Sequence, residues 1–176
     1  ALPIYAVKAN PSPWVIKTLV DNGVSGFDVA SIPEIELVAP YAPGSAMAFM
    51  HPVKSRKAIA QAYFDHGVRT FALDSHEELA KILDATGQAG DLDLIVRLGV
   101  QADGAAYSLS GKFGVSEVQA PALLMAARRA GEGDRFPCRV SLRAARPGER
   151  RRRHNSLTTS RPSRDMPALI RLWLQA

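Results

Sequence analysis

Apolar and polar positions along residues 1–130 alternate between two periods. Leu2–Ala9 is a short apolar run with β-branched and aromatic residues, the pattern of a buried strand. Pro11 and Pro13 follow, and Val15, Ile16, Leu19 and Val20 then recur at helical spacing up to an Asn22-Gly23 stop. Gly26–Ala30 predicts a second strand. Ser31 with Glu34 three residues on has the spacing of a capping box. That helix is carried by Ile35, Leu37 and Val38, with Tyr41 beyond them, and Pro43-Gly44 is a turn. The alternation repeats through strand Ala46–Met50, helix Ser55–His66 closed by Gly67, and strand Val68–Leu73. Asp74-Ser75 then caps helix His76–Ala85, which ends at Gly87. A fifth strand is predicted at Asp91–Leu98. After a glycine-containing loop, Val118–Ala130 predicts a helix.

Near-continuous apolar strands alternating with helices predict a parallel sheet covered by helices. The fold class is therefore α/β, either a doubly wound sheet or part of a (β/α)8 TIM barrel, of which about five strands are present. The 176 residues suffice for about one domain at the usual ~150 residues each. Charge divides the chain. Residues 1–130 hold 11 Lys and Arg against 13 Asp and Glu, a net of −2. Residues 131–176 hold 11 Arg, no Lys and 4 acids, a net of +7. The break separates a partial barrel, 1–130, from an Arg-rich tail, 131–176, with the run Arg150–Arg153, no strand of the earlier kind, and at most a short helix over Pro167–Gln175. Four arginines without interleaved aromatics argue against a specific nucleic-acid site. No apolar run reaches the ~18 residues of a membrane span. A lone cysteine, Cys138, forms no intramolecular disulfide and suits a cytoplasmic protein. No His/Cys cluster has metal-ligand spacing, so no metal is expected.

In parallel α/β sheets the carboxyl ends of the strands carry the chemistry. Lys8 and Asn10 stand there on the first strand, Asp28 and Ser31 on the second, His51 on the third, Asp74 on the fourth and Arg97 on the fifth. A lysine between Val7 and Ala9 on a buried strand would be desolvated toward the neutral, nucleophilic amine that Schiff-base chemistry uses. The bland alternative is a lysine that leaves the strand for water. Glu34 reads first as a capping acid and Asp28 as a charge at a helix amino end. Arg97 within Ile95-Val96-Arg97-Leu98 needs an anion or a polar cavity. His51 and His66 read as structural or surface residues.

The segments Tyr5-Ala6-Val7-Lys8-Ala9-Asn10-Pro11, Gly26-Phe27-Asp28-Val29-Ala30-Ser31, His51-Pro52-Val53-Lys54, Thr70-Phe71-Ala72-Leu73-Asp74-Ser75, Val96-Arg97-Leu98 and Leu109-Ser110-Gly111-Lys112-Phe113-Gly114 occur in this order. Together they resemble the pyridoxal-phosphate ornithine/lysine decarboxylases of the alanine racemase-like fold. The resemblance implies an eight-stranded barrel followed by a β-domain, working as a homodimer. It makes Lys8 the Schiff-base lysine, with Asp28, Glu34 and Arg97 lining the pocket of pyridoxal 5'-phosphate and Lys112 near the dimer interface. The implied reaction converts ornithine or lysine to putrescine or cadaverine and CO2. Diaminopimelate decarboxylases and alanine racemases share the lysine strand. A regulatory pseudoenzyme that pairs with decarboxylase subunits is a further alternative.

The resemblance stops near residue 130. The family's next strand reads Ser-Phe-His-Val-Gly-Ser, whereas Val140-Ser141 is followed here by Leu142-Arg143-Ala144-Ala145. The switch to Arg without Lys suggests a reading-frame shift near residues 132–142. A decarboxylase fragment, inactive alone and with unpaired sheet edges, is the expectation.

Overall fold

The computed structural model describes residues 3–99 and 113–130, and the backbone strand 138–143. Six parallel strands form one sheet: β1 (Ile4–Ala6), β2 (Gly26–Val29), β3 (Ala46–Phe49), β4 (Thr70–Leu73), β5 (Asp93–Gly99) and β6 (Cys138–Arg143). The helices are α1 (Pro13–Asp21), α2 (Ile32–Val38), α3 (Arg56–Phe64), α4 (His76–Ala85) and α5 (Ala120–Ala130). Each strand pairs in parallel with the next in the chain. A doubly wound sheet reverses its strand order, so this sequential order decides between the two sequence readings in favour of a barrel segment.

The helix starts follow from local chemistry. Ser31, Ser55 and Ser75 each accept the backbone N–H three residues on, from Glu34, Ala58 and Glu78. Period-two alternation then sorts the strands. Phe27, Val29, Phe49, Phe71, Leu73, Leu94 and Val96 are buried in one core with Ile16, Ile35, Ile59, Ile82 and Leu123 of the helices. In the strand register, the positions between them are Asp28, Ala48, Thr70, Ala72, Ile95 and Arg97, which are small, polar or partly apolar. That is the row a barrel turns inward.

Two sequence readings are corrected here. The tail has a strand after all: β6 pairs with all but the first residue of β5, from Leu94↔Cys138 to Gly99↔Arg143. Its alternation of apolar Val140 and Leu142 with polar Arg139 and Ser141 is masked in the sequence by the surrounding arginines. The first strand is also shorter than read, ending at Ala6, with Val7–Ala9 forming a 3-10 turn. Tyr41 is exposed beyond α2. The Arg150–Arg153 run, the helix read at 167–175 and Lys112 lie outside the described residues.

Candidate active site at the carboxyl ends of the strands

Lys8 leaves the sheet rather than lying in it. After Ala6 the backbone turns, with the Asn10 N–H donating to Val7 O at 3.1 Å and the Tyr5 hydroxyl donating to Asn10 O at 3.2 Å. The Asn10 side chain accepts the Ser12 N–H at 3.1 Å, which steers the chain into Pro13 and α1. Lys8 therefore stands exposed on a braced turn, not desolvated on a buried strand as its apolar neighbours suggested. Ala6 is in register with Asp28, so Lys8 departs beside the strand that carries this carboxylate.

Asp28 is half-buried on β2, and Glu34 is committed locally. Its carboxylate accepts the Ala30 N–H at 2.7 Å while its own N–H donates to Ser31 Oγ at 3.4 Å. This is a capping box displaced by one residue, and it holds the turn from β2 into α2.

The third, fourth and fifth strand ends meet at Phe113 and Gly114. Asp74, expected to cap α4, instead accepts the Gly114 N–H at 2.9 Å, and Ser75 alone does the capping. The Phe113 ring packs edge-on with His51, centroids 5.5 Å apart at 73°, and the Arg97 guanidinium lies 5.5 Å from its centroid. Val115 bridges back to β5, donating to Arg97 O and accepting from the Gly99 N–H, both at 2.9 Å. Gly114 takes φ +102, and a Cβ there would stand 2.4 Å from Gly99 N, so only glycine allows this crossing. His51 Nδ1 accepts the Val53 N–H at 3.2 Å. His51 thus packs as a structural residue, but at the strand ends.

Lys54, which in the sequence stands only as the end of the His51-Pro52-Val53-Lys54 segment, is a buried lysine. Its ammonium is buried and donates to His51 O at 2.9 Å, Ala72 O at 2.6 Å and Glu78 Oε1 at 2.9 Å. Three N–H donors thus find three acceptors. Glu78 Oε1 also accepts the Lys54 N–H at 3.1 Å, and Oε2 pairs with Lys81 at 2.6 Å. Burial lowers the Lys54 pKa below its ordinary value, and the Glu78 carboxylate pulls it back. The desolvated lysine expected at residue 8 is found here instead. A signal was available: Lys54 immediately precedes the N-cap Ser55, where a cation opposes the helix dipole and needs a partner elsewhere.

The strand ends thus present an exposed primary amine at Lys8, a carboxylate one strand over at Asp28 and a guanidinium on β5. An amine held on a fixed turn at a strand end can reach the aldehyde of a carbonyl cofactor, although it lacks the burial that the sequence led one to expect. A parallel (β/α)-barrel segment with such an amine at its carboxyl face has the architecture of a barrel enzyme whose strand ends can hold a carbonyl cofactor. The comparisons narrow the class to one family. Residues 1–131 match the family described as pyridoxal-dependent decarboxylase, pyridoxal binding domain, and the chain belongs to it. It is 38% identical over 128 residues to a lysine/ornithine decarboxylase of Selenomonas ruminantium, covering 72% of this chain and 31% of that protein. It is 35% identical over 115 residues to human antizyme inhibitor 2, covering 65% of this chain and 24% of that protein. The lysine/ornithine decarboxylase of Vibrio vulnificus, solved with cadaverine, superposes with TM-score 0.61 at 34% identity over 75% of this chain and 33% of that one. The chain spans about a third or less of the length of these relatives. Among the described residues no helix is long and apolar enough to cross a membrane, and no group of three or more His, Cys, Asp or Glu could hold a metal.

Proposed function

We propose that this chain is the cofactor-holding portion of an amino-acid decarboxylase acting on ornithine or lysine, in which Lys8 carries pyridoxal 5'-phosphate. The observation that carries the reading is Lys8 itself: a solvent-reachable amine on a hydrogen-bonded turn at the carboxyl end of a barrel strand, within the family match. When bound, the cofactor would supply an electron sink for the bonding pair left on the substrate's α-carbon as CO2 departs. Lys8 would hold its aldehyde carbon. Asp28, one strand over, would set charge beside the amine. Arg97, held by the Phe113 ring, would supply positive charge toward anionic groups of cofactor or substrate. Glu34, committed to the Ala30 N–H, would contribute by fixing the backbone between Asp28 and α2. The working unit would be a cytoplasmic homodimer.

The test is reduction with borohydride after mixing with pyridoxal phosphate. A reducible adduct in the unmodified chain that is lost in Lys8→Ala supports the proposal, and an equal adduct in both contradicts it. Carboxyl-labelled ornithine or lysine is expected to release no CO2 with this chain alone. A second reading is a regulatory chain that pairs with decarboxylase subunits, and it draws on the similarity to antizyme inhibitor 2. It predicts no adduct on Lys8. We also propose a shift of reading frame near residues 132–142, just beyond residue 131 where the family match ends. Sequencing codons 130–145 would reveal Ser-Phe-His-Val-Gly-Ser in another frame, and a sound frame without it would refute the shift.

A further inference from the structure

We infer that Lys54 is a positioning residue, whose buried ammonium fixes the turn carrying His51 and, through the His51 ring, the Phe113 ring against Arg97. The geometry is a chain of contacts. The ammonium ties the His51 carbonyl after β3 to the Ala72 carbonyl in β4 and to Glu78 in the first turn of α4. The backbone N–H of Lys54 adds a second bond to the same Glu78 oxygen, so the turn is gripped at both ends of one residue. His51 then has little freedom, because its Nδ1 also accepts the Val53 N–H. Its ring meets Phe113 at 5.5 Å, and Phe113 in turn lies 5.5 Å from the Arg97 guanidinium. Lys54 itself has no exposed side-chain surface, so it reaches the strand ends only through these neighbours.

A structural role alone predicts that Lys54 matters only through stability. Positioning predicts more. A buried ion pair replaced on both sides by apolar residues of similar size recovers most of the stability, because the one cation left without Glu78 is Lys81, whose side chain is 24% exposed and can turn to water. It does not recover the hydrogen bond to the His51 carbonyl. The doubly substituted Lys54→Met/Glu78→Leu chain separates the two roles. The inference rests on reading the strand ends as the cofactor-facing surface, but its readout needs no cofactor.

The readout is the chemical shift of the His51 ring protons, displaced by the neighbouring Phe113 ring. A Phe113→Leu chain defines the value without that ring. In Lys54→Met/Glu78→Leu, with circular dichroism and melting temperature near those of the unmodified chain, the His51 shift is expected to move to the Phe113→Leu value. A His51 shift that stays at the unmodified value in a folded double variant overturns the inference. Should the double variant not fold, the unmodified chain decides. Lysine side-chain NMR is expected to show Lys54 ammonium protons exchanging with water at least about tenfold more slowly than those of exposed Lys57, with cross-relaxation to His51. Exchange as fast as Lys57, or no cross-relaxation to His51, overturns it. Failure of the cofactor reading would show separately, as absence of a Lys8 adduct in a chain whose His51 signature is intact.

Discussion

Two lysines divide the roles that the sequence assigned to one. Lys8 and Lys54 both follow apolar residues, and apolar neighbours signal burial only if the strand continues through them. It does not at Lys8, where the Asn10 N–H closes a turn on Val7 O. It is Lys54, after Pro52-Val53, that is 4% exposed, with its partner Glu78 at 3%. Local spacing could not pair them, because the partner is 24 residues away on another (β/α) unit. Lys54→Met leaves Glu78 buried with only Lys81 beside it. It should cost about 1–3 kcal/mol, less than the ~3–5 kcal/mol of a wholly uncompensated buried charge, because Lys81 stays 2.6 Å from Glu78 while the Ala72 and His51 carbonyls lose their donor. Urea unfolding checks this, and a loss below about 0.5 kcal/mol would mean that Lys81 and water replace the Lys54 ammonium fully. Gly114→Ala should also cost at least about 1–3 kcal/mol, since φ +102 is strained for alanine and its Cβ would overlap Gly99 and the Leu98 carbonyl carbon. Thermal unfolding of that variant is the check.

Elements were more legible than their ends. Serine caps on α2, α3 and α4 and the apolar alternation placed the five described helices and the first five strands, because both signals act within a few residues. What joins the elements acts at longer range and left no local trace. At the amino ends of β4 and β5, Asp91 accepts from the Tyr63 hydroxyl at 2.7 Å and from Arg69 Nε at 2.6 Å, with the Arg69 guanidinium 4.0 Å from the Tyr63 ring centroid. This clamp joins the end of α3 to both strands. The Tyr63 hydrogen bond, with Arg69, holds the Asp91 pKa below its ordinary 3.8. The same bond to Asp91 raises the Tyr63 pKa above 10.0. The signs give two limits. Asp91's contribution is complete above 3.8 and lost as pH falls through its lower folded value. Tyr63's contribution is complete below 10.0 and lost as pH rises through its higher folded value. Asp91→Asn should lower stability between those limits and flatten both the acid and the alkaline limb. Urea midpoints across pH measure it, and unchanged limbs would show that the clamp does not hold in solution.

For the whole molecule, the decisive fact is strand order. The periodicity of a doubly wound sheet and of a barrel is the same, so alternation left the choice open. The sequential pairing from β1 to β6 closes it. The sixth strand was hidden because its apolar positions are diluted by arginines, whereas its register with β5 depends on backbone pairing. Among the described residues β1 and β6 each pair on one side only, and Ile4 on β1 is 63% exposed. Open edges recruit strands, so the chain should associate as its concentration rises. Sedimentation that stays monomeric at high concentration would contradict this.

Attachment of pyridoxal phosphate to Lys8 at the carboxyl face of this sheet is best checked by mapping which lysine the cofactor modifies. The chain is mixed with one equivalent of pyridoxal phosphate, reduced with borohydride, digested and sequenced by mass spectrometry. The pyridoxyl group is expected on the peptide containing Lys8, ahead of the likewise exposed Lys17 and Lys57. Labelling spread evenly over the exposed lysines, or absent from Lys8, would contradict it.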